Sequence, residues 1–217
     1  MQRVRIHFSK GEALQFTGHL DLHKIWERTF RRAHLPLAYS QGFHPQPRIQ
    51  LACALPLGFT SEAELADVWL NSDMALDEVA AILKNTAQPG LEIQSLESIP
   101  VYQTSLQNRV TSVVYEILFL DEVNFTDLEN HLQGLLKKSS IFRERRGKPY
   151  DLRPLIEEAA LSRRDSLPMI RLQISALPGA TGRPEEFLEE LEIDPYSVDI
   201  RRVDIKLRAL EPWEVRA

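Results

Sequence analysis

The order of strand-like and helix-like segments is the feature that most limits how this chain can fold. Apolar and polar residues alternate over residues 4–8, which is typical of a strand with one buried face. Over residues 19–33, apolar residues instead recur at spacings of three and four, which predicts a helix that buries one stripe. The same criteria predict strands at 49–55 and 63–71, a helix from residue 76 and a strand from residue 91. The first half therefore has the predicted order β-α-β-β-α-β.

The second half follows this order in its predicted pattern, except that one strand is identified between its two helices instead of two. Strands are predicted at 113–119, 170–174 and 198–207, and helices at 124–136 and 184–191. Residues 141–164 are basic and are predicted to be irregular. Two β-α-β-β-α-β copies predict an α+β fold of two ferredoxin-like units in tandem, each an antiparallel sheet with helices on one face. The predicted domains are residues 1–107 and 108–217, and one larger α+β domain with a continuous sheet is the alternative.

Length and cysteine content limit the class of protein further. The 217 residues, 43% of them hydrophobic, are enough to bury a core. The sequence has no run of eighteen apolar residues and its N-terminus lacks the pattern of a signal peptide, so we expect a cytoplasmic protein that does not enter a membrane. The single cysteine, Cys53, excludes an internal disulfide or a cysteine cluster, and we expect it to be a buried small hydrophobe.

Basic charge is concentrated at the front of the chain. Residues 1–60 carry eight Lys or Arg against three acids, a balance of +5, whereas the remainder has a balance of −10. Such an asymmetry favours a phosphate-bearing partner. The overall pI near 5.7 nevertheless lies well below that of a dedicated nucleic-acid-binding protein.

The first predicted helix carries polar side chains of the kind that bind ligands. His19, His23 and Glu27 are four residues apart and share one stripe. The segment lacks the glutamate beside the first histidine that defines the hydrolytic zinc motif, so no metal site is predicted. Arg28 and its neighbours in the last turns suit two-pronged binding of phosphate or carboxylate. Their simpler role is to stabilise the helix C-terminus electrostatically.

Two further segments are candidates for ligand binding. The loop at residues 39–47 interleaves aromatic side chains with Gly and Pro, so it either stacks on bases or a cofactor ring or pins itself to the core. The basic segment 143–153 either binds an anion or is a solvated connector. Together the candidate binding residues are Lys10, His19, Asp21, Arg28, Arg31, Arg32, Tyr39, Ser40, Gly42, Phe43, His44, Arg146, Lys148 and Arg153.

No recognisable catalytic motif accompanies these candidates. The sequence has no Gly-rich phosphate loop of the Walker or dinucleotide-binding type and no nucleophile elbow. We therefore predict no catalytic residues, no metal and no cofactor. For the candidates of the first sixty residues, we predict that cationic side chains and the aromatic loop converge on one exposed hollow.

Several short motifs, taken in order, resemble those of a known bacterial family. They lie at residues 8–11, 17–22, 28–33, 35–45 and 55–58, with a weaker motif at 148–156. On these motifs the chain resembles the radical-SAM-linked protein family, a bacterial domain of unknown function. Members of that family occur fused to, or encoded beside, a radical S-adenosylmethionine protein, so the resemblance implies a subunit or accessory role.

Three functions follow as hypotheses. The first is an accessory or substrate-presenting partner of a radical S-adenosylmethionine enzyme, whose cluster must belong to the partner because this chain has one cysteine. Its substrate is expected to be RNA or another anionic molecule. The second is a stand-alone RNA-binding or RNA-processing protein in which His19 or His44 acts as a general acid or base. The third is a small-molecule enzyme that binds its substrate in the same predicted hollow.

Overall fold

The structure is a computed structural model that describes residues 1–121, 123–211 and 213–214. Its described residues form two compact units, one within residues 1–110 together with 207–211 and 213–214, the other within residues 111–121 and 123–206. Both are built from helices and mostly antiparallel strands, which confirms the predicted α+β class. The division into domains 1–107 and 108–217 stays a prediction.

The first unit contains its strands and helices in the predicted order. They are β1 (Gln2–Lys10), α1 (His19–Arg32), β2 (Ile49–Leu51), β3 (Thr60–Leu70), α2 (Leu76–Thr86), β4 (Leu91–Ile99) and α3 (Leu106–Arg109). A short 3₁₀ helix, Glu12–Leu14, follows β1. Among the strands of this unit, neighbours follow the order β4-β1-β3-β2, and each neighbouring pair is antiparallel.

The alternation predicted for β1 separates its two faces. Val4, Ile6 and Phe8 are fully buried in the core cluster that also includes residues of α1 and α2. In that core, the Phe8 ring meets the edge of Trp26 at a centroid distance of 4.9 Å, and Trp26 stacks on Phe30 at 5.0 Å. Such aromatic contacts add to the free energy gained from burial. The helices therefore pack on the apolar face of β1.

The second unit contains four strands that the sequence analysis did not predict. Its elements are β5 (Val110–Phe119), α4 (Phe125–Lys137), β6 (Phe142–Arg145), β7 (Lys148–Asp151), a 3₁₀ helix (Arg153–Leu155), β8 (Ile156–Arg164), β9 (Leu167–Leu177), β10 (Ala180–Thr181), α5 (Pro184–Glu190) and β11 (Val198–Leu207). The four strands are β6, β7, β8 and β10. Neighbouring strands follow the order β8-β9-β5-β11, and β10 pairs with the end of β9. The prediction that residues 141–164 are irregular is therefore wrong.

Two features hid regular structure in residues 141–164. The β6–β7 hairpin is charged on both strands, and it turns through Arg146 and Gly147, which both have positive φ (54° and 74°) as a tight hairpin turn requires. In β8 the register shifts between Ile156 and Glu158, so the side-chain alternation is interrupted at its start. The predicted strand 49–55 is longer than the observed one, because β2 ends at Leu51.

Candidate functional site

The candidate residues of the first unit lie at two different ends of β3. Lys10, the last residue of β1, pairs with Ser61 at the beginning of β3. The loop that contains Tyr39 is instead tied to the end of β3, where Ala38 N donates to Trp69 O at 2.8 Å. Helix α1 has its own two ends, with His19 in the first turn and Arg31 in the last. The single hollow shared by all these residues stays a prediction.

Near the end of β1, Lys10 fastens two loops to each other. Its side chain is fully buried, and Nζ donates to Gln15 O at 3.1 Å and to Phe59 O at 3.2 Å. Gln15 O also accepts from Gly58 N, while Gln15 Nε2 donates to Gly58 O at 2.7 Å. We call residues 11–18 and 53–59 the loop pair. A buried ammonium group needs hydrogen-bond acceptors such as these two carbonyl oxygens. The bonds of Lys10 therefore hold the loop pair in one conformation.

Large apolar side chains of the loop pair and of the adjoining first turn of α1 are exposed to solvent. Phe16, Leu57 and Leu20, in the first turn of α1, are exposed by 79%, 61% and 76%. The Phe16 ring lies 3.8 Å from the position that a β-carbon on Gly58 would occupy, and Leu57 lies equally close to that of Gly18. The two loops therefore interlock through their glycines. We call these three side chains the loop-pair surface. Leu20 and Leu57 belong to two of the short motifs, those at residues 17–22 and 55–58.

The aromatic loop forms an arch over residues 38–48. Arg48 N donates to Ala38 O at 2.8 Å, and Ser40 N donates to Gln46 O at 2.8 Å. The Ser40 hydroxyl in turn accepts from Gln46 N at 3.0 Å. These bonds close the base of a tip at residues 41–45. The predicted alternative, that Phe43 pins the loop to the core, is wrong because Phe43 is fully exposed.

Other side chains of the arch are solvent-exposed as well. His44 is exposed and Tyr39 keeps 42% of its surface in solvent. Gly42 has a φ of +129°, a backbone conformation that favours glycine. In the arch, Arg48 lies over the Trp69 ring at 4.7 Å from its centroid. The arch thus presents aromatic and cationic side chains on a fixed backbone.

The arginines of α1 have different partners. Arg31 pairs with Glu27 at 2.6 Å, and Arg32 donates to Thr86 O at the end of α2 at 3.0 Å. Arg28 is exposed and has no hydrogen-bond or ion-pair partner within the described part of the chain. Near the other end of the helix, Asp21 is exposed and pairs with Lys24. Arg32 therefore has a structural bond, whereas Arg28 is available to a ligand.

The basic segment of the second unit is largely neutralised by α5. Arg143 pairs with Glu189 and Glu190, and Arg145 pairs with Glu186 at 2.6 Å. The Tyr150 hydroxyl also donates to Glu186, and burial together with this carboxylate raises the pKa of Tyr150. Burial is the largest single influence on the pKa of Arg145 and lowers it, but Glu186 and Tyr150 together outweigh burial, so the net shift is upward. These bonds anchor the hairpin on α5.

The three predicted binding residues of this segment differ in their contacts with the protein. Arg153 donates from Nε and Nη2 to Leu136 O and from Nη1 to Ile156 O, so it satisfies a carbonyl in the last turn of α4. Arg146 and Lys148 are exposed at the hairpin tip. Only these last two are in a position to meet a ligand without breaking a bond to the protein.

Sequence analysis missed a buried ionic cluster in the first unit. Arg3 Nη2 pairs with Asp67 Oδ2 at 2.6 Å and Arg5 Nε with Asp67 Oδ1 at 2.8 Å, and all three side chains are almost completely buried. Arg3 also lies over the Trp69 ring, 4.6 Å from its centroid. The signal was the pair of arginines on one face of β1. Their acceptor could not be assigned without the β1–β3 register, which places Asp67 opposite Arg5.

Within the described residues, no group of three or more His, Cys, Asp or Glu side chains is placed to hold a metal ion. His19 and His23 are half-buried on α1, and Cys53 is half-buried where we expected a buried side chain. No described helix has the length and apolar character needed to span a membrane.

The chain belongs to a family described as an uncharacterized protein conserved in bacteria (DUF2344), which matches residues 3–184. A solved structure, that of an unknown protein from Galdieria sulphuraria, is similar with 15% identity over 96% of this chain and 99% of the other. Its TM-score of 0.29 is too low to support an argument about fold or function. No curated protein matches the chain.

Proposed function

We propose that this protein is an accessory or substrate-presenting partner of a radical S-adenosylmethionine enzyme and that its substrate is RNA or another anionic molecule. The resemblance to the radical-SAM-linked family supports the partnership. The cysteine content agrees with it, because the cluster of a radical enzyme needs three cysteine ligands and this chain has one. The partner enzyme therefore supplies the cluster and the radical chemistry.

The observation that carries this proposal is the loop-pair surface. Exposed apolar side chains that adjoin one another mark interaction sites on soluble proteins. Here Lys10 and the reciprocal Gln15–Gly58 bonds fix the loops beneath Phe16 and Leu57. A surface fixed in advance loses little conformational entropy when a partner binds. We assign the contact with the enzyme to this surface.

The test is co-purification from the native cell of an enzyme that carries an iron–sulfur cluster and cleaves S-adenosylmethionine. The wild-type chain should retain this enzyme, and the double variant Phe16→Ser, Leu57→Ser should lose it. Phe142→Ser is the matched control, because Phe142 is also exposed by 79% but belongs to the second unit. Equal retention by the double variant and the control would remove the loop-pair surface from the proposal.

A stand-alone RNA-binding protein is the second candidate. It is favoured by the strand orders β4-β1-β3-β2 and β11-β5-β9-β8, which support our proposal that each unit is ferredoxin-like. Paired units of this kind are common in proteins that handle RNA, although this support is analogy of fold alone. RNA binding by the purified chain, with no enzyme retained from the native cell, would favour this candidate.

A further inference from the structure

The stretch of sequence that includes the arch contains cationic residues but no Asp or Glu. From Arg28 to Ser61 there is no Asp or Glu, although the whole chain has 31 of them. The same segment contains four arginines and two histidines, all of them exposed except the half-buried Arg48. A surface formed by this segment attracts anions and has no carboxylate of its own to repel them.

The tip of the arch adds an aromatic ring to this cationic segment. The Phe43 side chain is fully exposed. The backbone around it is restricted by the Ser40–Gln46 hydrogen bonds and by Pro45 and Pro47. The ring therefore stands in water on a fixed support. An exposed aromatic ring beside cationic side chains is the arrangement on which single-stranded nucleic acids stack their bases.

A protein partner fits this tip less well than an unpaired base does. Protein contacts are centred on several adjoining apolar side chains, as in the loop-pair surface. At the tip, the neighbours of Phe43 in sequence are Gly42 and His44, and both are exposed. A ring flanked by Gly and His offers a stacking face rather than a cluster of adjoining large apolar side chains.

We propose that the arch binds single-stranded RNA by stacking Phe43 on an unpaired base while cationic side chains of residues 28–48 attract the phosphates. This inference rests on the proposed function for the expectation of an anionic substrate, and it names the class of that substrate. It does not require the enzyme. Duplex RNA keeps its bases stacked inside the helix, so the arch discriminates against it.

The test measures binding of a fluorescently labelled twelve-nucleotide oligouridine and of a duplex of equal length to the full chain. Wild-type protein should bind the single strand more tightly than the duplex. Phe43→Ala should weaken single-strand binding by about tenfold, in the range for loss of one stacked base. Phe43→Trp should restore it, and Phe142→Ala should bind like the wild type. Unfolding curves should coincide, because Phe43 contributes nothing to the core.

Three outcomes would overturn the inference. The first is single-strand affinity that is equal for wild type and Phe43→Ala, and the second is a wild type that does not prefer the single strand. The third is a Phe43→Ala variant that binds RNA normally but no longer retains the enzyme, which would make the arch a protein contact. If only the proposed partnership fails, the result is different: the wild type still binds RNA but retains no enzyme.

Discussion

The arch and the β6–β7 hairpin are both exposed turns with basic side chains, but their electrostatic surroundings differ. In the hairpin, Arg143 and Arg145 face carboxylates of α5. The arch lies in a part of the sequence without carboxylates, and Arg28 of the same segment has no partner among the described residues. A count of arginines would rank the hairpin first. The absence of Asp and Glu from residues 28–61 ranks the arch first, although Arg146 and Lys148 at the hairpin tip are also exposed.

This difference shows that the use of a basic residue depends on where its counter-charge lies. Arg3 and Arg5 are as basic as Arg28, yet Asp67 holds both in the interior. Arg153 similarly satisfies a carbonyl of α4. The predictions below alter a counter-charge or a cation and ask whether stability or binding responds.

The largest expected effect is on the buried cluster. Asp67→Asn leaves Arg3 without a carboxylate and Arg5 with only the half-exposed Glu97 at 3.7 Å. Breaking a buried ion pair in this way costs about 3–5 kcal/mol of unfolding free energy. Denaturant unfolding measures the loss. Asp73→Asn is the control, because Asp73 is exposed and weakly paired with the N-terminus. A loss below about 1 kcal/mol for Asp67→Asn would show that these arginines do not depend on the carboxylate.

The next effect concerns the buried ammonium of the loop pair. Lys10→Met removes the bonds to Gln15 O and Phe59 O, and hydrogen bonds to charged groups contribute about 1.5–3 kcal/mol each. Because the variant also avoids the cost of burying a charge, the net loss of unfolding free energy should be about 2–3 kcal/mol. Lys24→Met, at an exposed residue, should change it by less than about 0.5 kcal/mol. The same urea titration measures both variants. Similar losses for the two would contradict the role given to Lys10.

The order of elements in the first unit could be predicted because burial of one side of each element leaves a period in the sequence. Residues 19–33 showed the period of a helix, and α1 spans His19–Arg32. Strand β8 could not be predicted in this way, because its exposed polar residues and its register shift hide the period. Local pattern describes an element only when one face is consistently buried.

The candidate site was predictable in its residue types but not in its arrangement. An aromatic loop punctuated by Gly and Pro was evident from the sequence. The buried position of Lys10 depends on two loops separated by more than forty residues, and the pairing of Arg143 depends on α5. Such partners are fixed by tertiary structure, which periodicity does not report.

A smaller effect is expected when the hairpin is made to resemble the arch. The triple variant Glu186→Gln, Glu189→Gln, Glu190→Gln releases Arg143 and Arg145 from their carboxylates. In a Phe43→Ala background it should bind the oligouridine several-fold more tightly at low salt. The control with the same net charge neutralises the exposed carboxylates of Glu78, Glu129 and Glu158. An equal gain in both would show that net charge alone decides RNA affinity.

The smallest effect concerns Glu185, in the first turn of α5. Burial raises the pKa of this carboxyl, and its Oε2 is buried without a hydrogen-bond partner among the described atoms. The folded state therefore holds its proton to higher pH than the unfolded state does, so stability falls as pH rises from the ordinary carboxyl pKa through the raised one. Glu185→Gln should flatten this part of the stability curve by less than about 1 kcal/mol. Parallel thermal unfolding curves for wild type and variant across acidic and neutral pH would contradict it.

The most direct test of the cations in residues 28–48 is the salt dependence of oligouridine binding. A plot of log affinity against log salt concentration for a single strand has a slope of about −0.7 for each phosphate neutralised. The variant with Arg28, Arg31 and Arg32 all changed to Ala should bind more weakly and show a flatter slope than the wild type. Identical affinities and slopes for the two proteins would contradict the account.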